Sequence, residues 1–543
     1  MSFFFFAYST IIQYKIDRSL MMRRFVKSFG RIQCFRNVSY IGGLFNFKIV
    51  PEEMFPYPCR KLEGEEAENL QSVLESIRTN NNALGNLYGA RIATEYGGLG
   101  LGHTAHALVY EELGNSCIDD LLTTIRHSGV CTHLLASTGA KDLKGKYLTA
   151  MSDGTIQMRW AIEEDGFGSD LSMNTTQAVM CDDGSYALTG QKRCNAAASA
   201  THFLLLAKTL TQKPSENGAT VATRSSLFIC EKGAPGLKIE GDNIVLEKTP
   251  VSDIVGVMGE GFKDVMIALF TEEYLYAVSL LGTMKRLVEE LQSANTGTGV
   301  AELLPSFACA VYAMESALYA LTANMDVPRE DSLLECTLVS AFVQATTAQC
   351  LHRLELLKSP NTTIDNYFRQ INKLLSLMES RDFLYATAVC CGVEDYGLFF
   401  QRASTLQMMQ ARALRFMGVR DRVPINDIAG ASQIDEAVVK FGEAVEATFV
   451  KNGSQVPYQQ LLLNRLGEAA SLLYAASAVA SRASMCLTKG LPSARLEGKM
   501  ATAFIKFSVE RAISLSEECC NIGKTADTVY KRIALEVCED ALQ

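Results

Sequence analysis

The sequence predicts a mainly α-helical protein with one small β domain set into its first half. Three observations lead there. Apolar residues recur at helical spacing over most of the 543 residues. From Gln157 to about Ile254 the period changes to short β-rich runs separated by glycine turns. After Gly259-Glu260-Gly261-Phe262 the helical period returns and holds to the end. The expected segments are therefore a leader over 1–50, an N-terminal α domain over 51–156, a middle β domain over 157–258, an α bundle over 259–430 and a C-terminal helical extension over 431–543.

Composition narrows the function classes. Apolar residues make up 48% and charged residues 20%, so several globular cores can form. A net charge of −9 argues against general nucleic-acid binding, which needs clustered Lys and Arg. No Cys-x-x-Cys pair occurs among the 16 cysteines, which read as buried free thiols of a reducing compartment. The six histidines show no zinc-hydrolase spacing; His103 and His106 stand at i, i+3 without a third ligand, so no metal is expected.

The leader is basic: Lys15, Arg18, Arg23, Arg24, Lys27, Arg31, Arg36 and Lys48 face one acid, Asp17. That is the profile of a mitochondrial presequence, and no later stretch is expected to reach transmembrane length. Phe55-Pro56-Tyr57-Pro58 reads as a docking turn. Glu63–Asn80 carries Leu70, Val73, Leu74 and Ile77 at helical spacing. The glycine-rich Glu95–Leu101 precedes a helix over His103–Gly114, and is either a phosphate cradle or a tight inter-helix turn. Helices are expected over Asp119–Thr138 and Lys141–Met151.

In the β domain, strands are expected at Gln177–Met180, Ser185–Thr189, His202–Lys208 and Ser226–Cys230, with Thr209–Arg224 as a polar loop. The bundle helices are expected at Phe262–Ser293, Phe307–Met325, Leu333–Leu357, Ile364–Cys391 and Gln401–Met417. Val423-Pro424-Ile425 breaks the pattern, and the tail from Ile434 turns Leu461–Leu463, Leu466 and Leu472–Tyr474 inward.

Five local motifs in order carry a resemblance. They are Tyr96-Gly97-Gly98-Leu99-Gly100-Leu101, Gly139-Ala140-Lys141 through Lys146-Tyr147-Leu148, Gly168-Ser169-Asp170, Tyr186 to Lys192, and Gly259-Glu260-Gly261-Phe262. Over about residues 50–540 the chain resembles the acyl-CoA dehydrogenase family. The tail after Ile434 is similar to that of its very-long-chain branch, which includes a member that also acts in respiratory complex I assembly. Phe55–Pro58, Tyr312–Ser316 with Tyr319–Ala323, and Ser481–Ser484 look most like that member.

The resemblance implies a mitochondrial homodimer, in the matrix or on the matrix face of the inner membrane, with FAD as cofactor and acyl-CoA as substrate. A flavin takes a hydride from the acyl β-carbon while a glutamate removes the α-proton. It places the flavin-binding loop on Trp160, Ala161, Ile162 and Glu163, and Ser169 near the thioester.

The same loop departs from the family. Glu163 stands where the family has a flavin-contacting threonine, and Asp165 where it has proline. Lys192-Arg193-Cys194-Asn195-Ala196-Ala197 lacks the family's tryptophan and hydroxyl, and the segment between Asn295 and Phe307 lacks its pyrophosphate-binding arginine. Met417 falls on the late catalytic glutamate, and methionine accepts no proton. A minority of the family carries the base early in the bundle, where Glu272 stands here, although Glu273 replaces the following arginine. The alternative is that Glu272 and Glu273 are exposed acids near a helix turn.

Two functions are thus expected. The first is a catalytically impaired scaffold that has lost FAD and acts in complex I assembly, with possible partners among the assembly proteins and a peripheral inner-membrane contact. The second is an active FAD-dependent long- or very-long-chain acyl-CoA dehydrogenase with Glu272 as base.

Overall fold

The computed structural model describes residues 39–79, 87–114, 121, 124–166, 171–215, 218–293, 297–327, 332–355, 362–394, 396–398, 422–521, 523 and 525–540. Most of them are helical, around one curled sheet, and the chain forms two compact units. One gathers 1–59, 296–357 and 380–543; the other gathers 60–295 and 358–379. These units cut across the segment boundaries drawn from periodicity.

The first unit is helical. It holds α1 (Tyr40–Phe45), and later α8 (Gly297–Met325), α9 (Leu333–Glu355), α11 (Arg381–Gly392), α12 (Ala431–Asn452), α13 (Gln460–Thr488), α14 (Ala494–Cys520) and α15 (Asp527–Asp540). Helix α13 packs against α8, α9, α11, α12 and α14. Its run of Ala, Ser and Leu from Ala469 to Ala480 is buried on every side, because small side chains let several helices approach one axis. Tyr40 donates to Ser477 Oγ at 2.7 Å and Ser481 donates to Met54 O at 2.6 Å, tying the start of the unit to α13. Tyr57, in the expected docking turn, donates to Ser316 O at 2.9 Å.

The second unit holds α2 (Gly64–Arg78), α3 (His103–Leu113), α4 (Thr132–Thr138), α5 (Lys141–Ser152), the sheet, α6 (Gly261–Glu272), α7 (Tyr274–Ser293) and α10 (Thr362–Leu377). A wide π-type turn over Ile125–Cys131 leads into α4 and lies against the first strand. Helix α7 packs on α3 and α10. The expected helix over 364–391 is two helices, broken at Ser380. The pattern over 262–293 is interrupted once, at Glu273.

The sheet contains β1 (Met158–Ala161), β2 (Gln177–Met180), β3 (Tyr186–Arg193), β4 (His202–Ser215), β5 (Gly218–Glu231), β6 (Leu237–Glu240), β7 (Asn243–Val251) and β8 (Asp253–Val255). The order is β6-β7-β3-β2-β4-β5-β8, with β1 joined in parallel to β4. β1 pairs with His202–Leu205 and β2 follows at Lys208, so both lie along one edge of β4. The polar loop expected over 209–224 is instead a long antiparallel ribbon, paired from Thr209↔Arg224 out to Ser215↔Gly218. Its Thr and Val content fits a strand, so the polar composition there does not mark a loop.

The stretches Gly261–Ser293, Glu302–Met325 and Gln460–Thr488 are long and apolar enough to cross a membrane, against the expectation that none is. Their apolar windows are 83%, 56% and 78% buried inside the protein, so core packing accounts for most of that apolarity. The expected helix over 401–417, residues 1–38 of the leader expected over 1–50, and the turn Gly168-Ser169-Asp170 lie outside the described residues; residues 39–50 of that expected leader are folded, with Tyr40, Ile41, Leu44 and Phe45 of α1 buried in the helical unit.

Candidate functional site

The loop leaving β1 sets the site. β1 buries Met158, Arg159, Trp160 and Ala161 and is followed by buried Ile162. The chain then emerges beside the end of β3: Glu163 bridges Arg193, whose N–H donates to Glu163 O at 2.9 Å. Three consecutive acids follow one another there, and each faces a cation. Glu163 lies 3.7 Å from Arg126 of the π-type turn. Glu164 lies 2.7 Å from Lys192 Nζ, and Asp165 3.9 Å from Arg193.

The middle pair is buried, with side-chain exposures of 0% for Lys192 and 5% for Glu164, so it must be satisfied internally. It is: Glu164 also accepts from the N–H and hydroxyl of both Thr175 and Thr176, at 2.6–3.0 Å. Burial works against the Glu164 anion, but the Lys192 ammonium and these donors outweigh it and hold the carboxyl at about 2. Burial brings Lys192 down to about 8 against the pull of Glu164.

Beside this loop lies a cleft of about 360 Å³, wholly within the second unit. Trp160, Ile162 and Glu163 line it, as does Leu171 beyond the loop. Ala161 does not: it points the other way, into the sheet core with Cys194 and Ala197. Ser169 and Met417 lie outside the described residues. From the helical side come Leu269, Glu272, Glu273 and Tyr276, and from the end of α10 Met378 and Glu379.

Glu272 and Glu273 are buried, 1% and 2% exposed, which overturns the reading of them as surface acids. Their environments differ. Glu272 is gripped by Arg91 Nη1 at 2.6 and 2.8 Å, and His133 Nδ1 lies 3.1 Å away. Arg91 Nη2 in turn lies 3.3 Å from His103 Nε2, and His103 Nδ1 lies 3.3 Å from Tyr274 Oη. A guanidinium can only donate, so His103 Nε2 accepts and the ring proton sits on Nδ1. Burial raises the Glu272 carboxyl, but Arg91 and then His133 overcome it and leave the group well below the ordinary carboxylate range. Among the described residues Glu273 faces no such cation; it accepts the Glu379 N–H at 2.9 Å. Burial, and then the Glu379 charge, push Glu273 up to about 8.

The glycine-rich stretch over 95–101 proves to be a turn. Its amides close on the chain itself, Leu99 N to Gly89 O and Gly100 N to Ile92 O at 2.9 Å. A Cβ on Gly98 would sit 2.0 Å from Ile92 O, which explains the glycine by close approach. The Gly102 N–H at the start of α3 is taken by Glu66 at 2.8 Å. These groups are therefore engaged, and the phosphate-cradle alternative drops out.

Sequence reasoning missed Arg91, Arg126, His133 and Tyr276. The Arg91–Glu272 pair spans 181 positions, and nothing local connects them. Only the isolated basic side chain ahead of a glycine turn could have marked Arg91.

Comparisons with known proteins agree with this architecture. Residues 67–155 match the model "Acyl-CoA dehydrogenase, N-terminal domain", and residues 428–542 match "ACAD9/ACADV, C-terminal domain". The very long-chain specific acyl-CoA dehydrogenase of Rattus norvegicus is 24% identical over 89% of this chain and 84% of its own length. The Homo sapiens protein of that name is 25% identical over 84% of this chain and 81% of its own. Among solved structures, an acyl-CoA dehydrogenase complexed with FAD from Bacillus anthracis superposes with a TM-score of 0.69 at 19% identity, covering 92% of this chain and 90% of that one.

Proposed function

We infer that this member of the acyl-CoA dehydrogenase family, close to its very-long-chain branch, keeps the fold but not the oxidation chemistry, and serves as a mitochondrial scaffold in respiratory complex I assembly. One observation carries the reading. Glu272, the acid that the resemblance offers as base, is held as an anion by Arg91 at 2.6 and 2.8 Å. A carboxylate stabilised that strongly is a weak proton acceptor, because a useful base has a pKa near the working pH.

Two features of the cleft also count against FAD. A dinucleotide brings a diphosphate that needs free cations or amides. The cations lining the cleft are Arg126 and Arg193, and each already faces an acid of the β1 loop. Where the family has a tryptophan on the flavin, Cys194 is buried in the sheet core. No dehydrogenation step is therefore assigned to these residues, and a homodimer with its helical core intact remains the working form.

The test is a visible spectrum of the purified protein with and without added FAD, paired with affinity purification from mitochondria. A colourless protein that co-purifies with complex I intermediates supports the scaffold. A stoichiometric flavin band bleached by a long-chain acyl-CoA refutes it. The second reading, an active acyl-CoA dehydrogenase, is favoured by Glu272 lining the cleft; under it, Glu272→Gln abolishes turnover.

A further inference from the structure

The lining of the cleft is rich in acids. Glu163, Glu164, Asp165, Glu272, Glu273 and Glu379 border it, against Arg126 and Arg193. Four of these acids face a cation of their own: Arg126 lies by Glu163, Lys192 by Glu164, Arg193 by Asp165 and Arg91 by Glu272. Among the described residues Glu273 faces none. It is 2% exposed, and its Oε1 accepts the Glu379 N–H at 2.9 Å. No donor among the described residues reaches Oε2, although the side chain borders the cleft.

A second carboxylate stands beside it. The Glu379 charge acts on Glu273 as one anion acts on another, favouring its neutral form. The other groups nearby do not relieve this. Tyr276 on α7 takes a hydrogen bond from Arg126 of the π-type turn, Arg126 also faces Glu163, and Glu272 on α6 is occupied by Arg91. The position between Glu273 and Glu379 is therefore one that a cation would serve.

We propose that the cleft binds a small organic amine, with its ammonium seated on Glu273 Oε2 beside Glu379 and its apolar body against Trp160, Leu269 and Met378. An ammonium is a compact donor of N–H groups and matches a buried carboxylate that lacks one. The indole of Trp160 adds attraction for a cation. A divalent metal ion fits less well. It needs several oxygen ligands, and no three His, Cys, Asp or Glu side chains among the described residues converge as a metal site. A volume of about 360 Å³ suits a small molecule. The charge selected is the opposite of that on an acyl-CoA or a flavin nucleotide. The proposal rests on the part of the proposed function that denies the cleft FAD.

The protein supplies its own probe, because its one tryptophan, Trp160, lines the cleft. Full-length protein is titrated with n-hexylamine at pH 6 to 8.5, at a salt concentration that screens the exposed acids, and Trp160 fluorescence is followed. A Kd of about 0.1–1 mM is expected at pH 8.5. Proton and ammonium compete for one carboxyl, so with Glu273 at about 8 the affinity is expected to rise about fiftyfold from pH 6 to pH 8. Binding at pH 7 should release about one proton, read by calorimetry in two buffers.

Hexanoate and hexanol carry the same body with the opposite charge or none, and are expected to bind at least about tenfold more weakly at pH 8.5. Glu273→Gln, close to wild type in shape, is expected to lose at least about tenfold in amine affinity and all of the pH slope. Asp165→Asn removes an exposed acid of the same cleft and is expected to cost at most about threefold. A Kd weaker than about 10 mM at pH 8.5, equal binding of hexanoate, or an affinity unchanged in Glu273→Gln overturns the proposal. A flavin band in the purified protein refutes the denial of FAD and this proposal with it; a colourless protein that takes no amine refutes this proposal alone.

Discussion

Replacing Glu273 by glutamine exchanges a carboxyl that is easiest to bury when neutral for a side chain that is neutral at every pH. The residue is 2% exposed and accepts the Glu379 N–H at 2.9 Å. Glutamine keeps an oxygen for that bond and supplies an N–H₂ where the protonated acid has its O–H. Glu273 is raised from 4.5 to about 8, so folding favours its protonated form. The groups facing it are Glu379 and, nearby, Tyr276 with Arg126.

The sign follows from proton binding. Below pH 4.5 both folded and unfolded chains carry the proton and the site costs nothing; as pH climbs towards 8 the unfolded chain loses it first, and stability falls. A displacement of about 3.5 pH units corresponds to at most about 5 kcal/mol lost by pH 9. Urea midpoints of wild type and Glu273→Gln are expected to lie closest below pH 4.5 and to separate as pH rises from 4.5 to 8, levelling off above, with the variant the more stable. Taking the difference cancels every other titrating group. Midpoints that stay parallel across the whole range would show that Glu273 ionises freely in the folded state, and would refute the reasoning.

Other expectations can be checked in the same preparations. Arg91→Gln strands Glu272 in a buried site and is expected to lower stability by about 3–5 kcal/mol in denaturant titrations, with Glu272→Gln on top recovering much of it. Lys192→Met removes the partner of buried Glu164; a loss of about 3 kcal/mol at pH 7 is expected. Because Glu164 sits near 2, below its unfolded value, its stabilisation is present at neutral pH and fades as pH falls from 4.5 towards 2, so the variant should show a flatter acid limb. Hydrogen exchange should find the paired amides of Thr209–Ser215 and Gly218–Arg224 protected; exchange at free-peptide rates would restore the loop reading. Arg482, stacked on Tyr312 at 4.6 Å and bound to Glu315 at 2.6 Å, anchors the helical unit, and Arg482→Met is expected to cost about 3 kcal/mol in thermal melts.

The elements that sequence made legible share one property: their signal is local. Helix α2 over Gly64–Arg78, α3 over His103–Leu113 and α5 over Lys141–Ser152 match their periodic patterns within two residues, because amphipathic spacing encodes one buried face. β2 is found at its expected bounds. Misreadings fall where burial is decided by distant partners. The ribbon over 209–224 is polar and looks like loop, yet its backbone is satisfied across β4 and β5. Glu272-Glu273 reads as surface because two adjacent acids usually are; their burial is possible only because Arg91 arrives from 181 positions away and Glu379 from 106.

The β1 loop shows what this difference means for function. The substitutions at Glu163 and Asp165 were visible as departures from a flavin-binding pattern, and alone they read as loss. Their partners were not visible, since Arg126 and Arg193 are unremarkable in sequence. Placed together, they form a run in which every acid has its own cation. Only the middle pair, Lys192 with Glu164, is buried, and there an unmatched charge would cost several kcal/mol; the outer two pairs are partly solvated and contribute little to stability. What the loop does in the fold is therefore set by these pairings, with the buried Glu164–Lys192 pair and its threonine donors fixing where its neighbours stand.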